Sequence, residues 1–260
     1  MIDNNIAYHF VGQKLPKKPK TWRKRITGDE LVQEVVPFIS KVLGVNESQA
    51  RVIFCWCLHT HYWWNFEYSP RLIFQNIPQD IDTSGIMSLI HILGADFVIT
   101  NQDLGNSAPL AIGDIFNPTM LLDYDTLHKE YKQQVDCIIE IGYKEYGSLT
   151  SGLCSYECFY PLCMVTKHSV NKKINDKIII PLFYDTLISK EVYDEALLFK
   201  AKTNAFLKTI DNYMVNNTDE TIQSVIKTWQ PIYKIAGLIS KSFYEQVVKD
   251  TLSIACECLD

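Results

Sequence analysis

No stretch of this 260-residue sequence approaches the roughly 18 uncharged apolar residues that a membrane span requires. An N-terminal pattern of basic, apolar and small residues that would mark export is missing too. The expectation is a soluble, cytoplasmic chain with no membrane partner. Internal repeats and low-complexity tracts are also lacking, which excludes a repeat architecture. Basic residues are not in excess: 25 Lys and Arg face 30 Asp and Glu, a formal net charge of −5, which argues against a globally basic nucleic-acid binder. The eight cysteines lack the paired two-residue spacing of a zinc knuckle. Cys154, Cys158 and Cys163 form a loose cluster, and Cys55 and Cys57 flank Trp56 near His59 and His61. With no export signal they read as reduced core thiols, and no metal or other cofactor is expected.

What is present is a core-sized apolar fraction, 47% of the residues, and an uneven distribution of charge. Residues 1–28 hold Lys14, Lys17, Lys18, Lys20, Arg23, Lys24 and Arg25 against Asp3 alone, a net charge of +6. The remaining 232 residues carry 18 basic and 29 acidic side chains, a net charge of −11. Pro16 and Pro19 stand among the lysines, so Gly12–Arg25 reads as an extended basic arm. Its cations, with Trp22 available to stack, are candidates for binding a nucleic-acid backbone, and a solvated arm with no ligand is the plainer reading.

After the arm, periodicity predicts an amphipathic helix over Glu30–Leu43, with Leu31, Val35, Phe38, Ile39 and Val42 on one face and Asp29 as its cap. A second helix begins at Asn46 and is expected to run into Tyr62-Trp63-Trp64. Apolar runs at Arg71–Asn76, Asp96–Thr100, Thr119–Asp123, Cys158–Thr166 and Lys177–Phe183 read as strands. Helices are expected at Ser84–Leu93, Thr126–Tyr143, Lys190–Met214, Glu220–Ile239 with Pro231 as an interruption, and Phe243–Cys256, and a turn at Tyr146–Gly152. This order implies an α/β fold with a largely parallel sheet. The division expected is a basic arm at 1–28, an α/β domain at 29–188 and a helical C-terminal lobe at 189–260. His59 and His61, two apart on a helix, do not share a face, which disfavours a joint metal or acid/base role. The aromatic run Tyr62–Trp64 reads as core or as an interface anchor.

Several short segments, in order along the chain, carry a family resemblance. Phe54-Cys-Trp-Cys-Leu-His-Thr-His61, then Phe66 and Ser69-Pro70-Arg71-Leu72, resemble a W-x-L-H-T-H…F-x-x-S-P-R-L signature. Asn117-Pro-Thr-Met-Leu-Leu-Asp123 resembles the strand R-P-T-L-L-I-D-E, and Ile141-Gly142-Tyr143-Lys144 resembles N-x-G-[HY]-[RK]. Phe159–Val165 is similar to F-x-P-K-A-I-A, Ile174–Ile180 to x-x-D-R-S-I-x-I, and Thr228–Ala236 to a W-x-P-L-x-x-I-A helix. These segments resemble a family of helicase-like P-loop ATPase domains of unknown function, found in phage, plasmid and other mobile-element primase-helicase proteins. The resemblance implies a P-loop NTPase-like sheet of RecA/AAA type flanked by helices.

The resemblance also implies where a nucleotide would bind, and there the sequence departs from the family. Carried over without a gap from Pro70, S-P-x-x-G-x-G-K-[ST] places Asp80 and Asp82 at the two glycines and Thr83 at the lysine. Ser84 falls at the metal-binding hydroxyl, the one group retained. Glycines let backbone amides approach phosphates and the lysine neutralises them. A carboxylate about 4 Å from a phosphate charge instead costs roughly 4 kcal/mol at an effective dielectric near 20. In the second motif Asp123 stands for the metal-linked aspartate, Tyr124 replaces the water-activating glutamate, and Asp125 reaches that position if one residue is skipped. The family's arginine after the aspartate becomes Lys177, and the lysine of F-x-P-K becomes Leu162.

The reading is a pseudo-ATPase with no catalytic residues of its own, a binding or scaffolding module in mobile-element replication or phage–host conflict. Its partner is expected to be a protein, itself or a related helicase or replication protein, with DNA reached through the arm. The alternative is a DNA-dependent ATPase with an atypical phosphate loop. A further reading is a PIN-like Mg-dependent ribonuclease, from Asp3-Asn4-Asn5 and Ala95-Asp96…Thr100-Asn101. The helix-rich gap between those motifs, and the long C-terminal lobe, speak against it.

Overall fold

The computed structural model of the chain describes residues 21–95, 98–101, 109, 118–142, 144–151, 154–169, 177–181, 189–214 and 227–257. Helix α1 spans Gly28–Leu43. Its cap is Thr27, not the expected Asp29, because Thr27 and Glu30 satisfy each other reciprocally. The Thr27 hydroxyl accepts from the Glu30 amide at 3.2 Å, and the Glu30 carboxylate accepts from the Thr27 amide at 2.8 Å. Helix α2 spans Glu47–His59 under an equivalent box made by Asn46 and Gln49. It stops short of the aromatic run, since the chain turns at Thr60, whose hydroxyl donates back to the Cys57 carbonyl at 2.7 Å. Trp63–Asn65 forms a separate 3₁₀ turn. From Gln49 to His59 every residue but Arg51 is buried, the mark of a helix enclosed by others.

Five parallel strands follow: β1 (Arg71–Gln75), β2 (Val98–Thr100), β3 (Thr119–Asp123), β6 (Leu162–Val165) and β7 (Lys177–Pro181). Their order across the sheet is β2-β3-β6-β1-β7. Strand β1, which precedes the loop where a phosphate would sit, is thus separated from β3, which carries the second motif, by one inserted strand. That is the P-loop NTPase-like sheet of RecA/AAA type expected from the sequence. Helix α3 (Ser84–Leu93) connects β1 to β2, and α4 (Lys129–Ile141) follows β3. The residues expected as a turn at 146–152 instead enter a hairpin, β4 (Ser148–Ser151) against β5 (Cys154–Glu157). Three helices end the chain: α5 (Lys190–Met214), α6 (Gln230–Ile239) and α7 (Lys241–Glu257). Pro231 opens α6, where its missing N–H costs nothing, and residues 220–226, expected as helix before it, lie outside the described residues.

Alternation along the strands sorts the core into two layers. Leu72, Phe74, Leu121, Cys163 and Val165 point to one face, where α1, α2, α3 and the C-terminal helices supply Leu31, Ile39, Trp56, Ile90, Phe199, Trp229 and Val247. Ile73, Met120, Leu122, Leu162 and Met164 point to the other, against Val135, Ile138 and Ile139 of α4. Burial on both faces explains why these strands read as continuous apolar runs. No helix among the described residues is long and apolar enough to cross a membrane.

Candidate functional site

Ligands of open parallel sheets bind outside the carboxyl ends of the strands, so the edge formed by the ends of β1, β3 and β6 is where the site must be sought. Chain leaving β1 turns at Asn76, whose φ of 56° is the left-handed conformation that asparagine tolerates. The loop to α3 is pinned to the segment after β6. The Ile77 amide donates to the Thr166 carbonyl at 3.4 Å, and the Lys167 ammonium donates to the Gln79 carbonyl.

At the end of this loop the hydroxyls sort differently from the gap-free reading. Thr83 is buried, and its hydroxyl donates to Asp123 Oδ2 at 2.6 Å. Ser84, placed by that reading at the metal-binding hydroxyl, instead donates to Asp82 Oδ2 at 2.7 Å, while its amide donates to Asp82 Oδ1 at 2.9 Å. Thr83 is therefore the hydroxyl that meets the second motif's aspartate. The Asp82 carboxylate closes the N-terminus of α3, where free amides and the helix dipole would otherwise receive an anion. The Ser84 hydroxyl and amide hold Asp82 below the usual carboxylate range, helped by the charge of Lys167. Asp80 is exposed on the loop before it.

Both oxygens of Asp123 are engaged, since Oδ1 accepts from the Asp125 amide at 3.1 Å and the Thr126 amide at 3.4 Å. Asp125 is tied across to β6, accepting from the Thr166 hydroxyl at 3.1 Å and the Lys167 amide at 2.6 Å. His168 Nε2 lies 3.7 Å from Asp125 Oδ1. Tyr124 leaves the site: its hydroxyl donates to Asp136 at 3.0 Å and its ring lies beneath Lys132. Burial, then the Asp136 contact, pushes the Tyr124 phenol up to about 12, so it is no proton acceptor at neutral pH. Asn101, at the end of β2, clamps the motif with its side-chain amide, donating to the Asp123 carbonyl at 2.6 Å and accepting from the Asp123 amide at 3.0 Å.

The structure thus brings Asp82, Thr83, Ser84, Asp123 and Asp125 to one edge. Lys177 is not among them. It opens β7 in register with Arg71, at the amino edge, about 13 Å of strand from the carboxyl edge. Thr166, Lys167 and His168 belong to the site and were missed, and Asn101 was named in the ribonuclease reading alone. Their signal was position, just after a strand end, which cannot be read before the strand order is known. Among the described residues no group of three His, Cys, Asp or Glu side chains is placed to hold a metal ion. Cys158 and Cys163 are buried while Cys154 is exposed. Burial and the Arg71 charge push His59 down to about 3, so it stays neutral.

In the arm, Lys14, Lys17, Lys18 and Lys20 lie outside the described residues, as do Asp3, Asn5 and Asp96 of the ribonuclease reading. Arg23, Lys24 and Arg25 are exposed. Trp22 is already engaged: the Lys202 ammonium sits 4.9 Å from its ring centroid and pairs in turn with Glu34.

Three of the other resemblance segments meet at the opposite edge of the sheet, through Arg71, Gly142 and the chain leading into Phe159–Val165. Arg71 is fully buried and donates to the carbonyls of Tyr160, Ile138 at 3.3 Å and Cys158 at 3.2 Å. Gly142 lies against it, since a Cβ there would fall 2.4 Å from Arg71 Nη2 and 2.2 Å from the Cys158 carbonyl. The Trp56 indole donates to the Pro70 carbonyl at 2.7 Å. These residues build scaffold.

Asp82 offers a direct test. Its pKa is lowered on folding, so its contribution is present above the unfolded value of about 3.9 and is lost as the pH falls through the folded value. Asp82→Ala should cost about 1 kcal/mol at pH 7, the usual size for a helix cap, and almost nothing at pH 2. Urea midpoints of both proteins at the two pH values measure this. An equal loss at both would contradict the capping role.

No family model and no curated protein matches the sequence. Among the solved structures that resemble the chain are two apo A-form structures of the C-terminal region of NrS-1. One shows 13% identity and a TM-score of 0.45 over 84% of this chain and 52% of its own. The other shows 14% identity and a TM-score of 0.44 over 84% and 53%. The chain thus spans about half the length of these structures. Likeness at this level carries no argument, and the fold rests on the sheet order itself.

Proposed function

We propose that the chain is a degenerate member of the mobile-element helicase-like P-loop ATPase family, a pseudo-ATPase that serves replication or phage–host conflict as a binding or scaffolding module. One observation carries this reading: the Asp82 carboxylate occupies the N-terminus of α3, where a phosphate would be received. A nucleotide would have to displace that carboxylate and then sit beside it. Further support comes from Asp123, whose oxygens are already bonded to Thr83, Asp125 and Thr126, and from Tyr124, whose phenol is turned away and is too weak an acid to lose its proton at neutral pH. The nearby cation, Lys167, is bound to the loop carbonyl of Gln79. What persists is the scaffold, which suits a protein partner, itself or a related replication protein. The exposed Arg23, Lys24 and Arg25 and the lysines before them suit DNA.

Calorimetry and thermal shift with Mg-ATP test the central claim. At 1 mM nucleotide the melting temperature should not move. A dissociation constant of 10 µM would add about 2.7 kcal/mol and raise it by about 5–10 °C, and that result, or turnover abolished by Asp123→Ala, defeats the pseudo-ATPase reading. For DNA, steep salt dependence that disappears on neutralising Lys14, Lys17, Lys18, Lys20, Arg23, Lys24 and Arg25 is expected. Absent or salt-insensitive binding removes that part.

A further inference from the structure

At the amino edge of the sheet, away from the candidate nucleotide site, three segments place aromatic rings at the surface. Trp63 lies edge-on to Phe159 at 5.5 Å and to Trp64 at 6.0 Å. Trp64 is 62% exposed and Tyr146 82% exposed. The segments are stitched together by backbone: the Cys158 amide donates to the Gly147 carbonyl at 2.9 Å and the Glu145 amide to the Glu67 carbonyl at 2.8 Å. Tyr146 also has a φ of 63°. A bulky residue in the left-handed region is a backbone outlier, so the strain holds an aromatic ring in water where burial offers no return.

The charge beside these rings is negative. Residues 63–68, 144–147 and 157–159 contain Glu67, Glu145 and Glu157 against Lys144 alone. The charge of Glu145 and its hydrogen bond, and to a lesser extent the charge of Glu157, push the Tyr146 phenol upward. A phosphate backbone is repelled by such a surface; a basic segment is attracted. Aromatic surfaces rimmed by acid are how proline-containing extended segments are held, because the polyproline II helix is already formed and loses little entropy on docking.

The chain carries such a segment. Pro16-Lys17-Lys18-Pro19 lies within residues 14–25, which hold seven basic residues and no acid. Where the described chain begins also fits. Trp22 is held at Lys202 on α5, and five residues further along that helix, about 7.5 Å, the Leu207 carbonyl accepts the Tyr62 hydroxyl at 3.2 Å. The Tyr62 ring is 6.5 Å from that of Trp64. Residues 14–20 reach about 22 Å as polyproline II, enough to pass from Trp22 to Trp64.

We propose that the basic arm, residues 14–20, docks on the Trp63–Trp64–Phe159–Tyr146 surface of its own chain. Docking and DNA binding then compete for the same lysines, so the arm is masked until a stronger polyanion draws it away. This inference does not depend on whether the carboxyl edge binds ATP.

Limited trypsin digestion of the full chain tests it, scored by mass spectrometry at Lys14, Lys17 and Lys20, and at Lys249 as a reference site. Cleavage in the arm should accelerate about tenfold in Trp64→Ala, in Tyr146→Ala and in the double variant Glu145→Gln, Glu157→Gln, with Lys249 cleavage and melting temperature unchanged. In the native chain 0.5 M salt should accelerate it likewise, since screening at that strength confines the attraction to a few ångströms. Equal arm cleavage in all variants overturns the proposal. Protection that rises with protein concentration, accompanied by a dimer in sedimentation, also overturns it and assigns the surface to the arm of a second copy.

Discussion

Arg71→Met is expected to lower the stability of the fold by about 3 kcal/mol and its melting temperature by about 6–12 °C. The reason is the identity of the partners. Buried ion pairs can often be replaced by apolar residues at little cost, because both charges leave together. Arg71 is paired with main-chain carbonyls, and these stay whatever occupies position 71. Ile138 keeps a donor in the Gly142 amide. The Cys158 and Tyr160 carbonyls lose the charge-assisted bonds that Arg71 donates, at about 1–3 kcal/mol each, and relief from burying a guanidinium offsets part of that. Burial pushes Arg71 down to about 10, so the guanidinium is still charged at neutral pH and all three of its bonds are charge-assisted. Arg71→Lys keeps the charge but cannot fork to three acceptors, and should recover about half the loss. Urea unfolding with an unchanged slope is the measurement, and a loss below 1 kcal/mol for Arg71→Met would show that water or backbone movement satisfies the carbonyls.

Gly142→Ala should be comparably damaging, by about 2–4 kcal/mol, for a different reason. Gly142 has φ −75° and ψ 3°, which alanine adopts freely, so the cost is steric. The added methyl would stand 2.2 Å from the Cys158 carbonyl, 2.4 Å from Arg71 Nη2 and 2.8 Å from the Ile138 carbonyl. Two of these are backbone, one in α4 and one leading towards β6, and neither moves without opening the core between them. The two substitutions damage one contact, so Arg71→Met with Gly142→Ala should fall short of additivity by at least about 1 kcal/mol. Full additivity would mean that the glycine serves something other than the arginine's approach.

These two residues show where the family-like segments act. Arg71 of S-P-R-L, Gly142 of the N-x-G piece and the Cys158–Tyr160 entry to F-x-P lie far apart in sequence, and the fold closes them into one knot at the amino edge. Their chemistry is structural.

Much of the fold was legible because strands buried on both faces leave unbroken apolar runs and helices leave a 3.6-residue period. Ser84–Leu93, Thr119–Asp123 and Lys190–Met214 fall where those patterns place them. The errors came where local chemistry competes with pattern. Thr27 overrides Asp29 because a reciprocal pair with Glu30 satisfies two amides. The hairpin at 148–157 was hidden because its strands are short and largely exposed, with Leu149 and Tyr156 turned towards the core.

By itself the sequence determined the sheet-forming runs, the basic arm on an acidic body, and the lack of glycine and lysine between Gln75 and Ser84. Each follows from composition or from periods a few residues long. Tertiary structure decided which hydroxyl reaches Asp123, that Asp82 closes α3, that Thr166 and Lys167 join the site, and that Lys177 stands at the other edge. A loop such as 76–83 has no period to fix its register, and its partners are 40 to 90 residues away. Only the order of the parallel strands brings them within hydrogen-bonding distance.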